Sequence, residues 1–163
     1  MTEQIIIKHL SSSIDESKFP FQLSNVFIYH WECDYWIMTA HGETREIEVK
    51  INRSDFFHDA KKQKHKEDNG ANYFYYACPV GLILPEEVEK RYGLMYVHEI
   101  GRVDIVKKPR RLNSNTFDNW KGLASRMYWR YRELWKQKYI NKEITRDEYF
   151  EGFNLKLEQN EQL

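Results

Sequence analysis

The sequence predicts an α/β fold, and three observations predict it. Short stretches alternate apolar and polar residues as strands do, and a helical stretch follows the third of them. After residue 115, aromatic and aliphatic residues recur at three- and four-residue steps, the period of a helix with one apolar side. The chain therefore reads as a core at residues 1–109 and a helical, basic and aromatic C-terminal extension at 110–163, packed on that core.

Residues 2–13 carry Ile5, Ile6, Ile7 and Leu10 behind Thr2, which suits a short helix with a threonine cap, although three successive isoleucines also suit a strand. Residues 25–30 are apolar and aromatic and should form a first strand, leading into a second at 33–40 and a third at 44–51. His41-Gly42-Glu43 is a turn of hairpin length. Ser54, followed by Asp55, reads as the cap of a helix from 55 to about 66, with Phe56, Phe57 and Ala60 inward. The Tyr and Phe run at 72–78 is a buried strand between Gly70 and Pro79, and Pro85-Glu86-Glu87 opens a brief helix. Residues 94–98 and 103–107 are two further strands around Ile100-Gly101-Arg102. The helix from 115 presents Phe117, Trp120, Leu123, Met127, Tyr131 and Trp135, and residues 144–158 form another, where Thr145 and Glu148 make a capping box.

Composition narrows the function classes. The 163 residues include 25 acidic and 25 basic side chains and are 15% aromatic, enough to build a core. Zero net charge hides an asymmetry, because residues 107–139 hold ten Lys or Arg against Asp118 and Glu133. Cys33 and Cys78 make no disulfide framework and show no zinc-type spacing. No signal peptide or membrane-length apolar run is visible, so the expectation is a cytoplasmic protein with no membrane partner.

The chemistry concentrates in the hairpin. Glu46, Glu48 and Lys50 share one face of their strand, and Ile47, Val49 and Ile51 the other. If the two strands pair through the His41-Gly42-Glu43 turn, Asp34 comes within reach of Glu48 across the ladder. Two adjacent carboxylates repel and are costly to desolvate without a positive partner, a role that Mg²⁺ fills with one or two carboxylates, water and phosphate oxygens. A Glu-x-Lys on a strand is also what an ordinary solvent face looks like.

In order, the pieces Glu32-Cys33-Asp34, Glu48-Val49-Lys50, Ser54-Asp55-Phe56-Phe57 with Asp59 and Lys61-Lys62, Tyr73-Phe74-Tyr75-Tyr76-Ala77 and Leu84-Pro85-Glu86 resemble the PD-(D/E)XK nuclease superfamily, with the MmcB-like DNA repair proteins the nearest likeness. That resemblance implies a restriction-endonuclease-like core of order α-β-β-β-α-β and a Mg²⁺- or Mn²⁺-dependent nuclease acting on DNA in repair, recombination or a mobile element, with RNA open as a substrate. It implies that Asp34 and Glu48 hold the metal with the Val49 carbonyl, and that Lys50 orients or deprotonates the attacking water. Glu32 and Asp59 are provisional members of the site.

Two basic regions could meet phosphates: Lys61 and Lys62 beside Asp59, and Arg126 and Arg130, four apart on the C-terminal helix among Trp129, Tyr131 and Trp135. A solvated helix face accounts for the first equally well. For the second, the alternative is an amphipathic helix packing on the core or on a second subunit of a homodimer. An idle nuclease-fold module that binds DNA or protein, or a small protein partner using the aromatic helix, are the competing functions.

Overall fold

A computed structural model describes residues 1–59 and 70–153, and these divide into two compact units between Asp118 and Asn119. The first is an α/β unit with a mixed sheet of six strands in sequential order, β1 (Phe21–Phe27), β2 (Glu32–Met38), β3 (Thr44–Val49), β4 (Tyr73–Pro79), β5 (Gly93–Val97) and β6 (Val103–Lys107). The pairs β3/β4 and β4/β5 are parallel and the others antiparallel. Consecutive parallel strands need a crossover, and α2 (Arg53–Asp59) lies in the one between β3 and β4.

Helix α1 (Glu3–Ser13) settles the run of isoleucines by spacing. Ile6 and Leu10, four apart, are fully buried, while Ile5 stays exposed. Thr2 caps it, its hydroxyl accepting the Ile5 N–H at 3.4 Å. The helix covers one face of the sheet, where Tyr35, Ile37, Ile47, Val49, Tyr75 and Ala77 meet. The opposite face is just as covered: Phe74, Tyr76 and Cys78 of β4 pack with Phe56 of α2 and with Val88 and Tyr92. Phe74, Tyr76 and Tyr92 sit in edge and tilted ring contacts 4.8–6.2 Å apart. The Tyr/Phe run is thus core, as expected.

Several boundaries move. The first strand is Phe21–Phe27, and the apolar residues after it form a tight hairpin in which the Ile28 N–H donates to Trp31 O at 3.2 Å and His30 takes a φ of 71°. Phe21 to Ser24 are only half-buried, so their hydrophobic signal is weak. The cap of α2 is Asn52, whose Oδ1 accepts the Asp55 N–H at 2.9 Å and the Ser54 hydroxyl at 2.7 Å, so Ser54 falls inside the helix. The part of that helix expected beyond residue 59 lies outside the described residues. Pro85-Glu86-Glu87 makes a single turn and no helix: the Glu87 carboxylate accepts the Leu84 N–H at 2.7 Å and pairs with Arg53.

Residues 110–118 belong to the first unit as an extended strap. The Leu112 N–H donates to Asn72 O at 2.8 Å, and the Asn72 carboxamide donates to Asn113 Oδ1 at 2.9 Å and Asn115 O at 2.7 Å. Phe117, expected on the helix face, packs instead on Trp36 with centroids 5.3 Å apart, and its N–H donates to Gly42 O at 3.0 Å. Gly42 is required there: its φ is +82°, and a Cβ would lie 2.7 Å from Thr116 Cγ2.

The second unit holds α3 (Trp120–Ile140), capped by Asn119, and α4 (Arg146–Phe153), opened by the expected capping box. Thr145 Oγ1 accepts the Glu148 N–H at 3.2 Å, and the Glu148 carboxylate accepts the Thr145 N–H at 2.7 Å. Among the described residues no helix is long and apolar enough to cross a membrane.

Candidate active site

Register brings the site together. Pairing of Trp36 with Glu46 and Tyr35 with Ile47 puts Asp34 opposite Glu48, and Glu48 in turn pairs with Tyr76 of β4. Asp34, Glu48 and Tyr76 therefore lie side by side on the sheet face away from α1. The β2/β3 ladder stops at the Tyr35–Ile47 pair, and Asp34 takes over the next backbone donor: its Oδ2 accepts the Val49 N–H at 2.8 Å. On the other edge of the strand, Lys50 N–H donates to Ala77 O at 2.9 Å, which carries β3 past its formal end and fixes where Lys50 points.

The charged face of β3 is not a solvent face. Glu46, Glu48 and Lys50 are 2–5% exposed, as deeply buried as Ile47 and Val49 behind them. Lys and Glu are almost never buried unless paired, and these are paired closely. Lys50 Nζ donates to Glu48 Oε1 at 2.9 Å and stands 3.4 Å from Oδ1 of Asp59, at the end of α2 and wholly buried. The Tyr76 hydroxyl donates to Asp59 Oδ2 at 3.1 Å. Asp34 is half-buried beside them. Burial, and then the charge of Glu48, push its carboxyl up to about 6, against the lowering effect of the Val49 N–H bond.

Asp34, Glu48, Lys50 and Asp59 are thus one cluster. Val49 contributes its amide to Asp34. Glu32 is exposed at the start of β2, opposite Phe27. Lys61 and Lys62 lie outside the described residues, and Arg126 and Arg130 are in the second unit on α3. His30 is exposed in its hairpin. Tyr76 was missed as a site residue because an aromatic in a Tyr/Phe run reads as core. Its signal was the parallel pairing to Glu48, which no local pattern carries.

Glu46, two residues before Glu48, is held separately. The Trp31 indole N–H lies 3.1 and 3.2 Å from its two carboxylate oxygens, and Trp31 packs on Tyr29 at 5.5 Å between centroids. The Tyr29 hydroxyl accepts from Trp36 Nε1 at 3.0 Å, and burial raises its pKa well above the ordinary value.

Ionised, three carboxylates face one lysine in the main cluster, leaving two negative charges, the charge that one divalent ion cancels. Among the described residues no three His, Cys, Asp or Glu side chains converge as a protein-only metal cage. Asp34 and Glu48 could offer a hard ion of the Mg²⁺ kind the one or two carboxylates that it uses when water and phosphate oxygens fill the remaining positions.

Fold and cluster together define an α/β protein with buried ionic chemistry beside the carboxyl ends of two adjacent parallel strands. The chain is similar to the SPO1766 protein of unknown function from Silicibacter pomeroyi, at 18% identity over 89% of this chain and 95% of that one, with a TM-score of 0.62. At that identity the likeness concerns the fold, a mixed sheet with flanking helices. No protein-family model and no curated protein matches the sequence.

Proposed function

We propose that the chain is a divalent-metal-dependent DNA nuclease with a restriction-endonuclease-like core, hydrolysing phosphodiesters through the cluster of Asp34, Glu48 and Lys50. The observation that carries this reading is the burial of a Glu-x-Lys strand face together with Asp59, beside an aspartate whose carboxyl rises to about 6. A fold keeps surplus negative charge out of water at a cost of several kcal/mol, and such perturbed clusters concentrate at functional sites.

Each residue has a role that its position suits. Asp34 and Glu48 would hold Mg²⁺ or Mn²⁺, which supplies polarisation of the scissile phosphate and a lowered pKa of bound water. The Val49 N–H, by occupying Asp34 Oδ2, directs Oδ1 as the free ligand atom. Lys50 brings positive charge to where the phosphate gains negative charge during attack. Asp59 stands against the Lys50 ammonium together with Glu48 and is itself oriented by Tyr76, so the lysine is positioned by two elements, β3 and α2.

Supercoiled, linear, single-stranded and branched DNA incubated with Mg²⁺ or Mn²⁺ provides the test. The expected outcome is metal-dependent cleavage of at least one form by the wild type and none by Asp34→Ala or Lys50→Ala. Absence of cleavage of every form, with no Mn²⁺ uptake by calorimetry, rejects the reading.

A further inference from the structure

Outside the buried cluster, the largest concentration of unassigned chemistry is on α3, which carries six Lys or Arg against Glu133 alone. Its cations are not spread evenly with respect to its exposed rings. Tyr128 and Trp129 are 51% and 60% exposed and meet edge to face at 5.7 Å. The Arg132 guanidinium lies over both, 5.8 Å from the Tyr128 ring and 5.2 Å from that of Trp129. Lys121, seven residues before Tyr128, and Lys136, seven after Trp129, extend this same side of the helix by two turns in each direction. Arg126 and Arg130 lie roughly a third of a turn away, Arg126 beside Gly122.

We propose that the Lys121–Tyr128–Trp129–Arg132–Lys136 side of α3 binds single-stranded DNA. The occupant follows from the pairing of chemistries. Exposed rings offer stacking faces that only unpaired bases can meet, since duplex bases are already stacked on one another. The flanking cations match phosphates, no acidic side chain interrupts the stretch between Lys121 and Arg132, and the one acid beyond it, Glu133, meets Lys136 at 3.8 Å in an exposed pair that a phosphate can replace. An acidic protein surface would satisfy the cations and leave the rings without partners of their own kind. The choice of DNA over RNA rests on the nuclease reading.

The experiment uses the full chain with Asp34→Ala, in chelator and without added metal, so that binding is read apart from cleavage. Fluorescence anisotropy follows a labelled oligo(dT), the matching duplex and an oligo(U) of equal length. Expected is tighter binding of the single strand than the duplex, with a salt slope of about −2 for three neutralised phosphates. Trp129→Ala is expected to weaken strand binding by about tenfold or more. Arg132→Gln should weaken it and make the slope shallower, while Arg126→Ala, which removes the same charge from the other side, costs less. Trp129 and Arg132 are on the helix surface, and circular dichroism checks that the variants stay folded. Equal binding of duplex and strand, equal losses for Arg126→Ala and Arg132→Gln, preference for oligo(U), or no binding would each overturn the proposal. A chain that binds the strand but never cuts would sink the nuclease reading and leave this surface in place.

Discussion

At the proposed metal site a proton and a cation would compete for Asp34, and the competition has a calculable size. Burial and Glu48 raise its carboxyl from 3.8 to about 6, so folding favours the neutral acid. The sign follows: this group's stabilising contribution is complete below about pH 3.8 and is lost as the pH rises through about 6. A cation at the site needs the carboxylate, so metal affinity must climb over the window in which that stability falls. With a pKa of about 6, roughly a tenth of the Asp34 carboxyls are ionised at pH 5 and roughly nine tenths at pH 7, so Mn²⁺ affinity should rise about tenfold between them. An ordinary aspartate is more than roughly nine tenths ionised already at pH 5, and would give almost no change. Isothermal calorimetry at the two pH values, in buffers of different ionisation enthalpy, reads both affinity and protons released. About 0.9 proton per Mn²⁺ should leave at pH 5 and about 0.1 at pH 7. Asp34→Asn should abolish the proton release. A flat affinity with no proton release from the wild type would refute the placement of the ion on Asp34.

Other predictions test the framework around that carboxyl. Lys50→Met leaves Glu48 and Asp59 buried without their cation and should cost about 3–5 kcal/mol in urea unfolding, with Lys50→Met/Glu48→Gln recovering part of the loss. A double mutant that gains nothing back would mean that the Glu48 contact is not what the lysine balances. Tyr76→Phe removes one bond to Asp59 and should cost about 1 kcal/mol with only a modest fall in cleavage rate, measured side by side. Asn72→Ala strips the strap of its anchor and should lower stability by about 3 kcal/mol, because the Asn72 carboxamide accepts the Thr44 N–H at 2.7 Å and donates to Asn113 and Asn115. For Gly42→Ala the expectation is a loss of about 1–3 kcal/mol by thermal unfolding, from positive φ and the clash with Thr116.

What the sequence made legible was local. Two-residue alternation around Glu48 gave the sharing of faces, the short turn gave Asp34 within reach of Glu48, and Thr145 with Glu148 gave a real cap, while the direct facing of Asp34 and Glu48 comes from the pairing of Met38 with Thr44. Illegible was everything that depends on what covers a strand. Phe117 fits a helical repeat equally well whether it lies on a helix or in a strap against Trp36, because periodicity records spacing and not the partner. Nor did alternation reveal that the charged face of β3 is buried. Alternation of charge with apolar residues ordinarily marks one wet face, and here Phe56 and Asp59 of α2 and Tyr76 of β4 close over it. The separation of nine residues between Lys50 and Asp59 has no helical or strand meaning, and only the crossover through α2 turns it into a 3.4 Å contact. That contact changes what the motif is worth. A Glu-x-Lys open to water is an ordinary surface pair of little energetic consequence, whereas the same three residues enclosed with Asp59 form a site whose charge the fold must manage. Enclosure, more than the motif itself, is therefore what sets this Glu-x-Lys apart from a surface pair, and Lys50→Met is the variant that measures it.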